Sequence, residues 1–215
     1  MLEQFVLFRD LTAEQLGSME ARSRMRRYRK RTIIISEGDP SAGLYLIQCG
    51  KVRTFVTDDH GRELTFEALG PGGCFGEHAL VDDGSCVTSV IALTDVVTVL
   101  VPRSAFEELL PQCPSLAIAL IALLAGRVRA LYGRAKTLAL MDVSHRVAKA
   151  LVALAREHDG VLVVDSKPTH QEIANTIGAS REMVSRILKH LADAGDIEIE
   201  EHRIVLHDKL IADAG

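Results

Sequence analysis

The sequence predicts an α+β chain in three parts: an N-terminal antiparallel barrel or jelly roll over 1–113, a long helix over 114–140 and a winged helix-turn-helix over 141–215. Three observations carry this prediction. Between Thr32 and Val101, short β-branched runs alternate with clusters of Gly, Pro and Asp, the rhythm of an antiparallel sheet. From Pro114 to Leu140 nothing interrupts a helical pattern except the isolated Gly126 and Gly133. After Thr169, a capped helix, a glycine turn and an arginine-rich second helix follow one another, and a hairpin-like tail closes the chain.

A chain of 215 residues has room for two domains, and 47% hydrophobic with 25% charged residues is the composition of a folded globular protein. The net charge of -4 means that any face for nucleic acid must be a local patch. Two acid-free stretches supply positive charge. One holds Arg22, Arg24, Arg26, Arg27, Arg29, Lys30 and Arg31; the other, between Ser115 and Met141, holds Arg127, Arg129, Arg134 and Lys136. Cys49, Cys74, Cys86 and Cys113 are scattered without a CxxC pair, which points to reduced thiols rather than a zinc or iron–sulfur site. Acids and an arginine interrupt the first ten residues, unlike a secretory leader. The longest unbroken apolar run, Leu116 to Ala125, is too short to cross a bilayer. The expectation is a cytoplasmic protein without a membrane partner.

The elements follow in order. Thr12 is placed to cap a helix over residues 12–25. Strands are expected at Thr32–Ser36, Leu44–Gln48, Val52–Thr57, Leu64–Leu69, Val87–Ala92 and Val96–Val101, separated by turns such as Glu37-Gly38-Asp39-Pro40 and Gly70-Pro71-Gly72-Gly73. Ser104 to Leu110 reads as a helix, and Pro114 suits the first turn of the next. On that long helix Leu116, Leu120, Leu124, Val128, Leu131, Ala135 and Leu138 form one stripe in steps of three and four. A stripe longer than a small barrel can cover calls for a partner helix, and a second copy of the chain supplies one as a two-fold dimer. Asp142 caps a further helix, Val143 to Glu157, which Asp159-Gly160 stops before a strand at Val161–Val164.

The last third carries the most specific signal. Thr169 and Glu172 have capping-box spacing, Gly178 supplies a turn and Ser180 caps the second helix. There Met183, Val184, Ile187, Leu188 and Leu191 lie on one side, with Arg181, Glu182, Ser185, Arg186 and Lys189 on the other. Arginine can donate two hydrogen bonds to guanine and glutamate can accept from cytosine, so Arg181 and Glu182 in the first turn suit a major-groove reader. Lys189, Thr169 and the helix N-termini suit phosphates. Ile197–Ile199 and Arg203–Leu206, joined through Glu200-Glu201-His202, make the wing.

Thr169-His170-Gln171-Glu172-Ile173-Ala174 through Gly178-Ala179-Ser180-Arg181-Glu182-Met183-Val184-Ser185-Arg186 resembles the DNA-binding motif of the cyclic AMP receptor protein and fumarate–nitrate regulator (CRP/FNR) superfamily. Gly38-Asp39, then Leu44-Tyr45-Leu46-Ile47 and Gly50-Lys51-Val52, resembles that family's cyclic-nucleotide-binding-like barrel. Gly73-Cys74-Phe75-Gly76-Glu77 resembles its ligand cassette, and Leu140-Met141-Asp142-Val143 its hinge. The resemblance implies a homodimeric transcription regulator that binds an inverted repeat, contacts RNA polymerase and answers to an effector at the barrel. It implies base reading by Arg181, Glu182 and Arg186. Arginine at the first of these favours TGTGA-like half-sites, whereas Ser185 belongs to the TTGAT pattern of the fumarate–nitrate branch. It also implies that the basic stretch Arg22 to Arg31 is either a solvated face or a contact with an acidic patch of RNA polymerase.

For the effector, the resemblance implies Gly76 and Glu77 against a ribose and Thr88 beside a cyclic phosphate, but Val87 stands where the phosphate-pairing arginine would be. No arginine or lysine occurs between Glu63 and Val101, and a buried phosphate needs a cation. Leu131 and Tyr132 replace the small hydroxyl residues that face adenine. The cofactor is therefore left open among a cyclic nucleotide, a different small molecule, no ligand, and a haem held by His78 with Cys74, in the manner of carbon-monoxide-sensing members. A module that binds a small ligand and controls a partner protein rather than DNA is the alternative class. The chain holds no P-loop, GxSxG or HExxH pattern, and no enzyme is expected.

Overall fold

Packing divides the chain into two units, Met1–Val56 with Phe66–Ala130, and Thr57–Thr65 with Leu131–Gly215. The computed structural model describes residues 1–40, 42–81, 84–207 and 210.

In the first unit Thr12 caps α1 (Ala13–Arg22) as expected, with Gln15 completing a capping box. The helix stops at Arg22 rather than running to residue 25. The Ser23 hydroxyl folds back to the Met19 carbonyl, and the chain leaves as β1 (Arg24–Tyr28), paired antiparallel with β8 (Val96–Val101). This strand was missed because its arginines give no apolar alternation. It is an edge strand, where exposed charge deters pairing with other chains. The remaining strands are β2 (Ile33–Ile35), β3 (Leu44–Cys49), β4 (Val52–Thr57), β5 (Glu63–Leu69), β6 (Cys74–Phe75) and β7 (Ser89–Ala92). They form two four-stranded sheets, ordered β1-β8-β3-β6 and β2-β7-β4-β5. Ile35, Val52, Val90 and Ala92 of one sheet meet Tyr45, Ile47, Phe75 and Val96 of the other in one buried cluster. The expected barrel is thus a jelly-roll sandwich with its core between two sheets. A second cluster packs Phe8 and Met19 against Phe106 of α2 (Arg103–Leu109) and Leu116 and Leu120 of α3 (Pro114–Leu140).

The long helix has the expected bounds, and the first unit's core covers only the start of the expected stripe. Steps of four turn about 40° forward around a helix and steps of three about 60° back, so the stripe keeps to one side. Leu116 and Leu120 are buried in that core and Leu124 is half-buried, while Val128, Leu131, Ala135 and Leu138, further along, are exposed. Burial of Leu116 and Leu120 contributes about 1.5–3 kcal/mol each. A different row stays outside throughout: Ile118, Ile121, Ala125, Val128 and Tyr132, spaced three and four, with all but the half-buried Ala125 exposed. By length and composition α3 as a whole is apolar enough to cross a membrane, with a mean hydropathy of 1.7 in its best 18-residue stretch. Counting only the unbroken apolar run had hidden this, because the helix continues through Arg127 and Arg129.

In the second unit Asp142 caps α4 (Val143–Leu154) by accepting from the His145 N–H. The helix ends at Leu154, short of the expected Glu157. Residues Arg156–His158 form β9, which pairs antiparallel with β10 (Val161–Val164). Asp159 and Gly160, at φ of 51° and 83°, make the tight turn between them. All of β9 is exposed, so its sequence carries no burial pattern to distinguish it from a helix end. Next come α5 (His170–Ile177) and α6 (Arg181–Asp193), then β11 (Ile197–Ile199) and β12 (Ile204–Leu206). The sheet order β11-β12-β10-β9 is that of a wing. Val147 and Leu151 of α4, Ile173 and Ile177 of α5, and Val184 and Leu188 of α6 close over it.

Candidate nucleic-acid interface and effector cassette

Side chains fix both ends of α5 and the start of α6. Thr169 accepts from the Glu172 N–H at 3.1 Å, and the Glu172 carboxylate accepts from the Thr169 N–H at 2.7 Å. At the other end of α5, Arg146 of α4 donates to the Ile177 carbonyl at 2.6 Å. Gly178 then turns the chain at a φ of 66°, where a side chain would be strained. Ser180 caps α6, accepting from the Met183 N–H at 3.2 Å. Because these constraints hold Val184 and Leu188 inward, the 3.6-residue period sends Arg181, Glu182, Arg186 and Lys189 outward, all exposed.

The charged heads of those four form no ion pair with a described residue. Ser185 differs: it is half-buried, its hydroxyl 3.0 Å from the Arg181 carbonyl and 2.6 Å from His170 Nδ1. In the wing, Arg203 grips Glu200 with two bonds of 2.7 and 2.9 Å. That pairing holds the Glu200 carboxyl below its ordinary value.

The cassette is built on Gly76, whose φ of 80° admits no ordinary side chain; a Cβ there would lie 2.6 Å from the Gly43 carbonyl oxygen. It turns Glu77 into the interior, where the side chain is wholly buried. One carboxylate oxygen meets Arg127 of α3 and lies 3.0 Å from His78 Nδ1. The other has no hydrogen-bond partner among the described residues. Arg127 also donates to the Cys74 carbonyl at 2.6 Å and stands 3.8 Å from Glu67. Sequence reasoning missed this use of Arg127; the signal was a lone cation within an apolar helical run. Thr88 is half-buried and Val87 exposed, while Leu131 and Tyr132 are both exposed.

These residues do not fit a cyclic phosphate held in the usual way. The cation that reaches Glu77 is already bonded to it, and position 87 is apolar. They do not fit a haem either. His78 Nδ1 is turned to the buried Glu77 carboxylate, 3.0 Å away, and Cys74 is half-buried with its thiol pushed up to about 11 by burial.

A sandwich, a long helix and a winged helix-turn-helix with an outward arginine-rich face together have the architecture of a DNA-binding regulator. Comparison with known proteins gives the family. Residues 25–113 match the cyclic nucleotide-binding domain model, and residues 145–209 match the Crp-like helix-turn-helix domain. The chain is 36% identical over 193 residues to the cyclic AMP receptor protein of Thermus thermophilus, covering 90% of this chain and 88% of that one. It is 34% identical over 179 residues to the CRP-like cAMP-activated global transcriptional regulator of Mycobacterium tuberculosis, covering 81% and 80%. Among solved structures, the c-di-GMP-responsive global regulator CLP of Xanthomonas campestris superposes with a TM-score of 0.79 at 27% identity, covering 91% of this chain and 99% of that one. The chain belongs to the CRP/FNR superfamily: it is a DNA-binding transcription regulator and not an enzyme.

Proposed function

We propose that the protein is a cytoplasmic homodimer that reads an inverted repeat of TGTGA-like half-sites through α6 and takes an effector at the sandwich. The observation that carries this reading is the outward row Arg181, Glu182, Arg186 and Lys189, unpaired within the described chain and backed by buried Val184 and Leu188. Arg181 and Glu182 contact base edges, Arg186 reads a neighbouring base, and Lys189, Thr169 and the α5 N-terminus hold phosphates. Ser180 sets the start of the reading helix. The working parts are the sensor, 1–113, the dimer helix, 114–140, and the DNA reader, 141–215.

The second copy docks on the outer row of α3. Ile118, Ile121 and Tyr132 are each more than 60% exposed, and their spacing of three and four is that of a helix–helix seam. A lipid partner is disfavoured because the same helix holds Arg127 in a buried ion pair. For RNA polymerase, the surface is the exposed edge strand with Arg24 and Arg26, which suits an acidic partner; Arg22 beside them is paired with Glu108. Charge reversal at Arg26 and Arg27 then cuts transcription without changing DNA affinity. The effector is a small molecule bound near Gly76, Glu77 and Thr88. Val87 argues against an ordinary cyclic nucleotide complex.

The test of the DNA reading is Arg181→Ala. Loss of a bidentate guanine contact costs about 1–3 kcal/mol of discrimination at one base pair. A variant with unchanged base preference rules the assignment out.

A further inference from the structure

Among the side chains on the outer side of α6, Ser185 is the one whose polar atom is already engaged. Its hydroxyl has a single hydrogen. The oxygen lies 3.0 Å from the Arg181 carbonyl one turn back, to which it donates. It also lies 2.6 Å from Nδ1 of His170, the first residue of α5. With its hydrogen given to the carbonyl, the oxygen can only accept from the ring, so the imidazole carries its hydrogen on Nδ1. Both residues are half-buried, which shields the bond from competition by water. The bond joins the two helices directly. It pins the N-terminal end of α5 to α6, while Arg146 pins the C-terminal end of α5 to α4.

We infer that His170 is a positioning residue for base reading: it locks the Ser185 hydroxyl as a clamp between α5 and α6, and so removes Ser185 from contact with bases. The inference rests on the DNA-reading assignment and sharpens it. A serine at this place would otherwise point to TTGAT half-sites. With its oxygen held by His170 and its hydrogen by the Arg181 carbonyl, reading falls to Arg181, Glu182 and Arg186, and the half-site is TGTGA. A base could reach Ser185 only by displacing the histidine ring.

The experiment is fluorescence anisotropy at fixed salt on a TGTGA-N6-TCACA duplex, a TTGAT counterpart, single-base variants of each half-site position and a scrambled duplex. The proteins are wild type, Ser185→Ala, His170→Ala, the double variant and His170→Asn, whose amide nitrogen takes the place of Nδ1. The expected result is that Ser185→Ala and His170→Ala each weaken binding about threefold to tenfold. Base preference stays the same at every position, and the double variant falls no further than either single one. His170→Asn stays within about twofold of wild type. Any one of three results overturns the inference: Ser185→Ala changes preference at one base pair more than tenfold, the two penalties multiply, or both are below twofold. If wild type itself does not distinguish TGTGA from scrambled DNA, the DNA reading fails instead. Thermal melting of the same four alanine-cycle proteins then still scores the clamp, since an interhelix bond requires the same non-additivity without DNA.

Discussion

The helix-turn-helix and the effector cassette both resemble their family counterparts, yet they treat charge in opposite ways. On α6 the buried residues are apolar, and the charged heads of Arg181, Glu182, Arg186 and Lys189 stand in solvent with no partner in the described chain. In the cassette the charge is turned inward. Glu77 is wholly buried, and the cation that answers it, Arg127, comes from α3 of the same chain. A surface whose charges lack internal partners is ready to take its ligand from outside. A buried carboxylate already matched by arginine is as much a structural joint as a binding group, and that arginine holds α3 against β6 by donating to the Cys74 carbonyl. The difference explains why the two resemblances carry different weight. On the proposed reading, family likeness at α6 carries a function over, whereas likeness at Gly76 and Glu77 carries over a shape, with an apolar side chain at Val87.

The largest effect expected from this contrast lies in the cassette. Arg127→Met leaves the Glu77 carboxylate buried without a cation and should lower stability by about 3–5 kcal/mol in chemical denaturation. Adding Glu77→Gln to that variant should recover much of the loss, because no charge is then stranded. A small effect of Arg127→Met alone would show that Glu77 is not held as the geometry requires.

On α6 the effect should appear in specificity rather than folding: Arg181→Ala should leave the denaturation midpoint nearly unchanged while it removes the discrimination given above. A large loss of stability would mean that the side chain packs rather than reads. Val87→Arg tests the missing cation. It should raise affinity for cyclic AMP at least about tenfold, or about 1.4 kcal/mol, by calorimetry. No gain would mean that position 87 is not what excludes the nucleotide.

The smallest effect concerns pH. The His145 N–H holds the Asp142 carboxyl below its ordinary 3.8. The cap's charge-dependent contribution to α4 is therefore complete above that value and fades as pH falls through the lower folded value. Asp142→Asn should flatten this part of the acid unfolding curve. An unchanged curve would show that the cap does not titrate with folding.

How far the fold could be read from sequence depended on burial. Strands β3, β4 and β8 are apolar runs largely buried in the core, and their bounds were legible to within a residue. The edge strand β1 and strand β9 bury almost nothing, so pattern had no purchase on them, and the helix ends beside them were drawn too long. The capping residues Thr12, Asp142, Thr169 and Ser180 were legible because each cap uses a side chain at fixed spacing from its helix. The outer row of α3 was not, because a list of apolar residues does not reveal which face the domain core has already taken. In the site, the outward residues of α6 followed from helical period alone. The Glu77–Arg127 and His170–Ser185 bonds join residues 50 and 15 positions apart, and only the tertiary fold brings such pairs together.

The central claim is that α6 reads DNA while the cassette no longer answers to an ordinary cyclic nucleotide. The most direct measurement is anisotropy of wild-type protein on TGTGA-N6-TCACA and on scrambled duplex at one fixed salt concentration, with and without cyclic AMP, because phosphate contacts make affinity salt-dependent. The account predicts a preference of at least about a thousandfold for the specific duplex, unchanged by cyclic AMP. Equal affinity for the two duplexes, or specific binding that appears only when cyclic AMP is added, would contradict it.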